Sequence, residues 1–330
     1  MATTFNALWI EENDGSFTRS IQERTLDSLP EGDVLVRVHY SALNYKDALS
    51  ATGNRGVTRK FPHTPGIDAA GVVEASSSDL FSEGDKVVVT SYDLGMNTSG
   101  GFGQYIRVLA EWVVPLPDGM SMEESMIIGT AGLTAGIGLF KMESAGQQAD
   151  QGPIMISGAT GGVGSLGVSI FHQAGYSVIA STGKTSSHEY LKKIGASEIV
   201  DRAAINDESG KPLIRGNWAG ALDTVGGNTL ATLLKGCKGN GSVAACGLVA
   251  SPKLSTTVFP FIIKGVNLMG IDSATCPMSL RKQVWDKLAG DWKIPNLSSI
   301  ATKVKLAEIN PYIDQILAGE TQGRILVDLT

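Results

Sequence analysis

The chain is poor in the residues that would assign a function at once. Its three cysteines, Cys237, Cys246 and Cys276, stand far apart with no Cys-x-x-Cys pair. That excludes a disulfide framework and a cysteine zinc site, and it fits reduced thiols in the cytoplasm. The four histidines, His39, His63, His172 and His188, do not fall at metal-ligand spacing. Basic residues are outnumbered 27 to 33, and the net charge of −6 argues against nucleic acid or an anionic membrane as a partner. The start, MATTFNALWIEENDG, lacks a basic segment followed by an apolar one, so no signal peptide is expected. The apolar stretch SMIIGTAGLTAGIGLF (125–140) is shorter than the ~20 residues of a membrane span. With Glu123 and Glu124 before it, it reads as a buried helix with an acidic first turn. No repeat or low-complexity linker occurs.

What remains is glycine and aliphatic surface. With 330 residues, 42% of them hydrophobic, and forty scattered glycines, the chain has room for two domains with sizeable cores. Up to about Met126, short runs rich in β-branched residues, DVLVRVHYSAL, GIDAAGVVEA, GDKVVVTSY and GQYIRVLAEWVVPLP, are broken by turns at Pro65-Gly66, Glu83-Gly84-Asp85 and Pro117-Asp118-Gly119. A β-rich domain with few helices is expected. From about Ile127 apolar strands alternate with helices: PIMIS, a helix near 163–174, YSVIAST, SHEYLKKIG, SEIVD, GALDTV, NTLATLLKGC, GSVAACGLV and NLMGIDS. Uniformly apolar strands between helices predict a doubly wound parallel sheet buried on both faces. The tail GRILVDLT is a further strand, which can return to the first domain. The strand NLMGIDS, placed at the sheet edge, can pair across a homodimer.

Within ISGATGGVGSLG (156–167) the sequence supplies a strand, a tight turn and a helix start in the order a dinucleotide site requires. Ala159, Gly161 and Gly164 hold the three fingerprint positions. The turn residues Thr160, Gly161, Gly162 and Val163 are the candidate pyrophosphate contacts at the helix N-terminus. One more absence identifies the cofactor. The second strand ends Ser181-Thr182-Gly183-Lys184, with no acid before Glu189. A carboxylate there would accept the ribose hydroxyls of NAD and repel a 2′-phosphate. Hydroxyls and an ammonium favour the phosphate, so NADPH is expected on Thr182, Gly183 and Lys184. A solvated lysine is the alternative for Lys184.

The whole chain resembles the medium-chain dehydrogenase/reductase superfamily. The motifs SALNYKDAL, PGIDAAGVV, GTAGLTAG, ALDTVGG, AACGL and QGRILV carry the resemblance together with the glycine turn. The stretches NYKDA, STGK-x-SSHEYL and PFIIKGVNLMGIDS are similar to one branch, the zinc-free quinone oxidoreductase-like enzymes that include bacterial acryloyl-CoA reductases. The resemblance implies an α/β fold: a Rossmann doubly wound parallel sheet over 128–296, and a β-rich GroES-like substrate domain over 1–127 and 297–330. Alcohol dehydrogenases of the superfamily bind zinc where this chain has Asn44, Gly66-Ile67-Asp68 and the neighbourhood of Ala131, and their four-cysteine structural loop is missing. No metal is therefore expected. Without a Lewis acid on the carbonyl, a substrate that delocalises the developing charge is favoured: an α,β-unsaturated thioester or a quinone.

The same resemblance places Asn44 and Tyr45 beside the nicotinamide as catalytic candidates. Asn44 is a hydrogen-bond donor to a carbonyl or ribose. Tyr45 is a cofactor contact or proton donor, or else a packed aromatic. Lys46 and Asp47 read as an ion pair or a solvated face. Further cofactor contacts are implied at Thr134, Leu248, Ile262 and Ser273, with core packing the competing reading for Leu248 and Ile262. The basic run GNRGVTRK brings Arg55, Arg59 and Lys60 together without an intervening acid, a candidate binding site for coenzyme A phosphates or a solvated loop. The expected activity is NADPH-dependent reduction of a conjugated C=C bond, acryloyl-CoA to propanoyl-CoA. A quinone reductase and a non-catalytic NADPH-binding redox sensor are the alternatives.

Overall fold

A two-residue loop, Asp14-Gly15, with both φ angles positive (50° and 79°), joins β1 (Thr4–Asn13) to β2 (Ser16–Thr25) in an antiparallel hairpin. Positive φ at both loop positions matches the twist of a hairpin. In the computed structural model, which describes residues 3–330, this hairpin belongs to the first of two compact units. The first unit comprises the residues through Thr130, Ala274–Lys282 and Asn296–Thr330; the second comprises Ala131–Ser273 and Gln283–Pro295.

The first unit continues with β3 (Val34–Leu43), a short helix α1 (Tyr45–Ala51), β4 (Asp68–Ser76), β5 (Lys86–Thr90), β6 (Tyr105–Val108) and β7 (Val113–Pro115). The expected single run 103–117 is split, because a 3-10 turn at Ala110–Trp112 separates β6 from β7. Helix α2 (Met122–Ser144) follows, with Glu123 and Glu124 in its first turn. At 23 residues it is longer than the apolar stretch that announced it, and it is long and apolar enough to cross a membrane by composition alone; 83% of its apolar window is buried within the protein.

The second unit alternates strand and helix, except that only a 3-10 turn stands between its third and fourth strands. Strand β8 (Ile154–Ile156) leads to α3 (Gly162–Gln173), β9 (Val178–Ser181) to α4 (His188–Lys193), β10 (Glu198–Val200), then β11 (Gly220–Asp223) to α5 (Gly227–Gly236), β12 (Ser242–Ala245) to α6 (Phe259–Lys264), and β13 (Asn267–Gly270). All neighbours pair in parallel, in the order β10-β9-β8-β11-β12-β13. The order reverses between β8 and β11, the switch point at which such sheets bind ligands. Ile154, Met155 and Ile156 are at most 2% exposed, as burial on both sheet faces requires, each contributing about 1.5–3 kcal/mol by burial.

Helix α7 (Met278–Ala289) is divided between the units. The chain then completes the first unit with β14 (Ala301–Lys305), α8 (Ile309–Leu317) and β15 (Arg324–Asp328). The tail does return: β15 lies parallel to β14 and antiparallel to β3 in a sheet of order β14-β15-β3-β4-β5-β7, with β6 also on β3. Val34, Val36, Val87, Val89, Ile106 and Val327 of these strands form its buried core.

Candidate cofactor and active-site residues

In the second unit, β8 runs into Ser157 and Gly158, and Gly158 turns the chain at φ 57°. Gly161 caps α3 in an extended conformation, no side chain caps the helix, and the first helical bond runs from Ser165 N to Gly161 O at 2.8 Å. From Gly164 to Phe171 the helix is buried, while Gly161, Gly162 and Val163 reach solvent. The two fingerprint glycines serve different ends. A Cβ at Gly164 would stand 2.7 Å from Ala159 Cα, so this glycine permits the helix to pack on the turn. At Gly161 a Cβ would meet only Gly158 O at 3.4 Å; its value is an open approach for a ligand. Thr160 is 8% exposed. The cradle, with first-turn N–H groups and a positive helix end, suits a diphosphate.

The neighbouring strand end supplies cations. Ala159 N bonds to Ser181 O at 3.1 Å, which sets the glycine turn against β9. Thr182 is buried, its N bonded to Val200 O, and its Oγ1 accepts from Lys184 N at 3.0 Å. A Cβ at Gly183 would lie 2.6 Å from Arg202 Cζ, so glycine there lets the Arg202 guanidinium lie against the backbone. Arg202 carries no signal at the second strand, because it follows the third, just after Asp201, whose carboxylate is turned onto Ala203 N at 2.8 Å. Arg202 thus lies against Gly183, and Lys184 is the next residue in the chain; both are cations of the kind that binds a phosphate.

Thr134 and Ser273 are brought together, their hydroxyls 2.6 Å apart. Leu248 and Ile262 are 64% and 72% exposed, which removes core packing as their explanation.

In the first unit, Asn44 caps α1 and Tyr45 is its first residue, 45% exposed. Below them lies a polar cluster in which Asp47 and Asp68 are both fully buried. Asn44 Nδ2 donates to Asp68 Oδ2 at 2.9 Å, to Asp47 Oδ2 at 3.1 Å and to Ala42 O at 3.2 Å, and Asn44 Oδ1 accepts from Arg324 Nη1 at 3.0 Å. Both amide hydrogens are committed, so this amide positions α1 and has no donor left for a substrate. Asp47 also accepts from Asn44 N and Ile67 N, each at 2.8 Å. It is neither an ion pair with Lys46 nor solvated. Burial, and then the charge of Asp68, push the Asp47 carboxyl up to about 7.

Asp68 lies at a break in a helix. Gly129 inside α2 has φ 49° and ψ −157°. Beyond it Asp68 takes Thr130 N at 2.9 and 3.0 Å and Thr130 Oγ1 at 2.6 Å, acting as the N-cap of the second half of the helix. Arg324 Nη2 stands 3.6 Å from Asp68 Oδ2, an ion pair rather than a hydrogen bond. Among the described residues no group of His, Cys, Asp and Glu is arranged to hold a metal ion.

Arg55 is engaged elsewhere. It forks onto both oxygens of Glu12 at 2.6 and 2.5 Å, donates to Arg59 O at 2.7 Å, and stacks 5.1 Å from the Phe61 ring. It braces the 54–60 loop, while Arg59 and Lys60 are exposed.

The model of the alcohol dehydrogenase GroES-like domain matches residues 30–118, and that of the zinc-binding dehydrogenase matches 162–290. The chain is 41% identical to the acrylyl-CoA reductase AcuI of Ruegeria pomeroyi, over 98% of this chain and 99% of that one. It is 41% identical to YhfP of Bacillus subtilis, named as a quinone oxidoreductase, over the full length of both; the structure of that species' yhfP with NAD bound superimposes with a TM-score of 0.97, covering 99% of this chain and 100% of that one. The yhdH oxidoreductase of Salmonella enterica in complex with NADP is 42% identical, with a TM-score of 0.95 over 98% of this chain and 100% of that one. With the parallel sheet, the glycine turn and the full-length likeness in hand, the chain belongs to the medium-chain dehydrogenase/reductase superfamily, in its quinone oxidoreductase-like branch.

Proposed function

We propose that this protein is an NADPH-dependent reductase of a conjugated C=C bond, with acryloyl-CoA as its substrate and propanoyl-CoA as product. The Arg202 guanidinium lying against Gly183, next to Lys184 in the chain, carries the cofactor reading. Bound NADPH supplies the hydride for the β-carbon. The chain's own residues do the rest. Gly161, Gly162 and Val163 present the helix end to the pyrophosphate, with Thr160 beside them. Thr182, Lys184 and Arg202 hold the 2′-phosphate. Thr134 and Ser273 offer hydroxyls to the nicotinamide end, and Leu248 and Ile262 offer apolar surface. Tyr45, exposed at the start of α1, is the residue assigned to cofactor packing or to proton delivery at Cα. Asn44 acts by holding α1 in place. Phosphates of the thioester are assigned to Arg59 and Lys60, with Arg55 bracing their loop. The proposed organisation is a cofactor domain over 128–296 and a substrate domain over 1–127 and 297–330, the latter carrying Tyr45, in a cytoplasmic enzyme.

Quinone reduction is the second reading, favoured by the likeness to YhfP. One assay separates the two: NADPH consumption with acryloyl-CoA, with a quinone in parallel and NADH as control. Turnover of acryloyl-CoA with NADPH alone is expected. Turnover only with the quinone supports the second reading, and saturable binding without consumption supports a sensor. We also propose a homodimer through β13, which among the described residues has β12 as its only strand partner and is flanked by exposed Phe259, Ile263 and Leu268. Sedimentation is expected to give twice the chain mass.

A further inference from the structure

The C-terminal ends of β8, β11 and β12 are joined through one residue, Asp223, whose carboxylate is buried and which is 0% exposed. Its Oδ1 accepts from Ser157 Oγ at 2.6 Å and from Val225 N at 3.2 Å, and its Oδ2 from Gly226 N at 2.8 Å. Its main-chain carbonyl accepts from Cys246 N at 2.9 Å, which ties in the end of β12. Ser157 continues the chain of bonds: its Oγ accepts from Thr224 N at 2.9 Å, and its carbonyl from Thr224 Oγ1 at 3.0 Å. Ser157 is the residue from which the glycine turn departs. The turn also sits closely on its neighbour, since a Cβ at Gly158 would run into the Thr224 side chain. The donors that reach the carboxylate are a serine hydroxyl and two backbone N–H groups. These bonds favour the ionised form and oppose the rise that burial causes.

We propose that Asp223 is a positioning residue for the dinucleotide turn. Through Ser157 it fixes the exit of β8, so that Gly161, Gly162 and Val163 present their N–H groups to the cofactor phosphates. Through Val225 and Gly226 it fixes the loop into α5. This inference rests on the NADPH-binding reading above. It assigns affinity for the cofactor to a side chain that has no role as a direct contact.

Asp223→Asn tests it, because neither orientation of the amide satisfies the site. With the amide oxygen at the Oδ1 position, the NH₂ opposes Gly226 N–H. Flipped, the NH₂ opposes Val225 N–H, and Ser157 must reverse its hydroxyl. NADPH affinity would be read from cofactor fluorescence on titration, beside the thermal midpoint, for wild type, Asp223→Asn, Ser157→Ala and Leu233→Ala. Leu233 is buried in the core under α5, so its truncation lowers stability without touching the turn. The expected result is a Kd for NADPH raised about tenfold by Asp223→Asn, the effect of one buried donor left opposed. Ser157→Ala shifts it less in the same direction. The double variant binds no worse than Asp223→Asn alone, because both act through one chain of bonds. Leu233→Ala leaves the Kd within about twofold at a comparable loss of Tm. An Asp223→Asn protein that binds as tightly as wild type, or a Leu233→Ala protein that loses as much affinity, overturns the proposal. Should Asp223→Asn fail to fold, Ser157→Ala against Leu233→Ala decides it by the same criterion. A wild type that binds no NADPH overturns the functional reading and this inference together, whereas unchanged affinity in the variants overturns the inference alone.

Discussion

Each unit buries carboxylates, and each does so by different means. In the first, Asp47 and Asp68 lie around one buried guanidinium, Arg324, and one amide, Asn44. Two acids against one cation leave an excess negative charge in a dry site, and it is relieved at Asp47 by a proton whose affinity rises to about 7. In the second, Asp223 has a serine hydroxyl and backbone N–H groups, and hydrogen bonds alone oppose the rise that burial causes. The contrast separates two ways of holding a buried charge: by a counter-charge and a proton, or by converging neutral donors. The first is vulnerable to any loss of balance, and the second to any loss of shape.

The largest effect is expected where the balance is removed outright. Arg324→Met leaves Asp68 without its cation, and urea unfolding should report a loss of about 3–5 kcal/mol. A loss below about 1 kcal/mol would mean that the cation contributes nothing net. Next comes the proton. Asp47 titrates near 7 in the folded chain and near its ordinary 3.8 when unfolded. Between those values the folded state holds the proton and the unfolded state has released it, so stability falls as pH rises through the window and levels off above it. Asp47→Asn should flatten this slope in thermal scans between pH 4.5 and 8; a slope equal to that of wild type would assign the proton to another group. In the second unit, Ser157→Ala should cost about 1–2 kcal/mol, less than the arginine, measured by the same urea titration. Smallest in stability is Tyr45→Phe, expected within about 0.5 kcal/mol because the ring is at the surface. Its kcat should fall while the Kd for NADPH holds. An unchanged kcat would leave Tyr45 a packing group only.

Strands with β-branched alternation, the parallel series, the glycine turn and the returning tail were legible in the chain, because each is a local pattern. Less visible was the first hairpin, although Asn13-Asp14-Gly15-Ser16 carried its turn signal. Of the candidate site, the placement was legible where a motif is contiguous: Thr160–Val163 lead into α3 and Thr182–Lys184 follow β9. It was not where partners are far apart in sequence. Asn44 and Arg324 are separated by 280 positions, and nothing local says that the amide is already committed. Asp47 looked like a surface acid beside Lys46, and only the fold shows it enclosed. Arg202 lay one strand beyond the usual place to look. In each case the missing information was which distant side chain occupies the space.

The strand β15 has a consequence for how the protein is made. The sheet of the first unit lacks its member between β14 and β3 until Asp328 has been synthesised, although β1 to β7 leave the ribosome well before it. The parallel sheet of the second unit lies wholly within 154–270. The unit that contains β1 to β7 thus closes after the parallel sheet that follows them, against the usual order in which the earlier-made unit folds first. A chain stalled or cut just before Arg324 would carry a complete parallel sheet beside an open edge on β3, and an open edge is a template for aggregation.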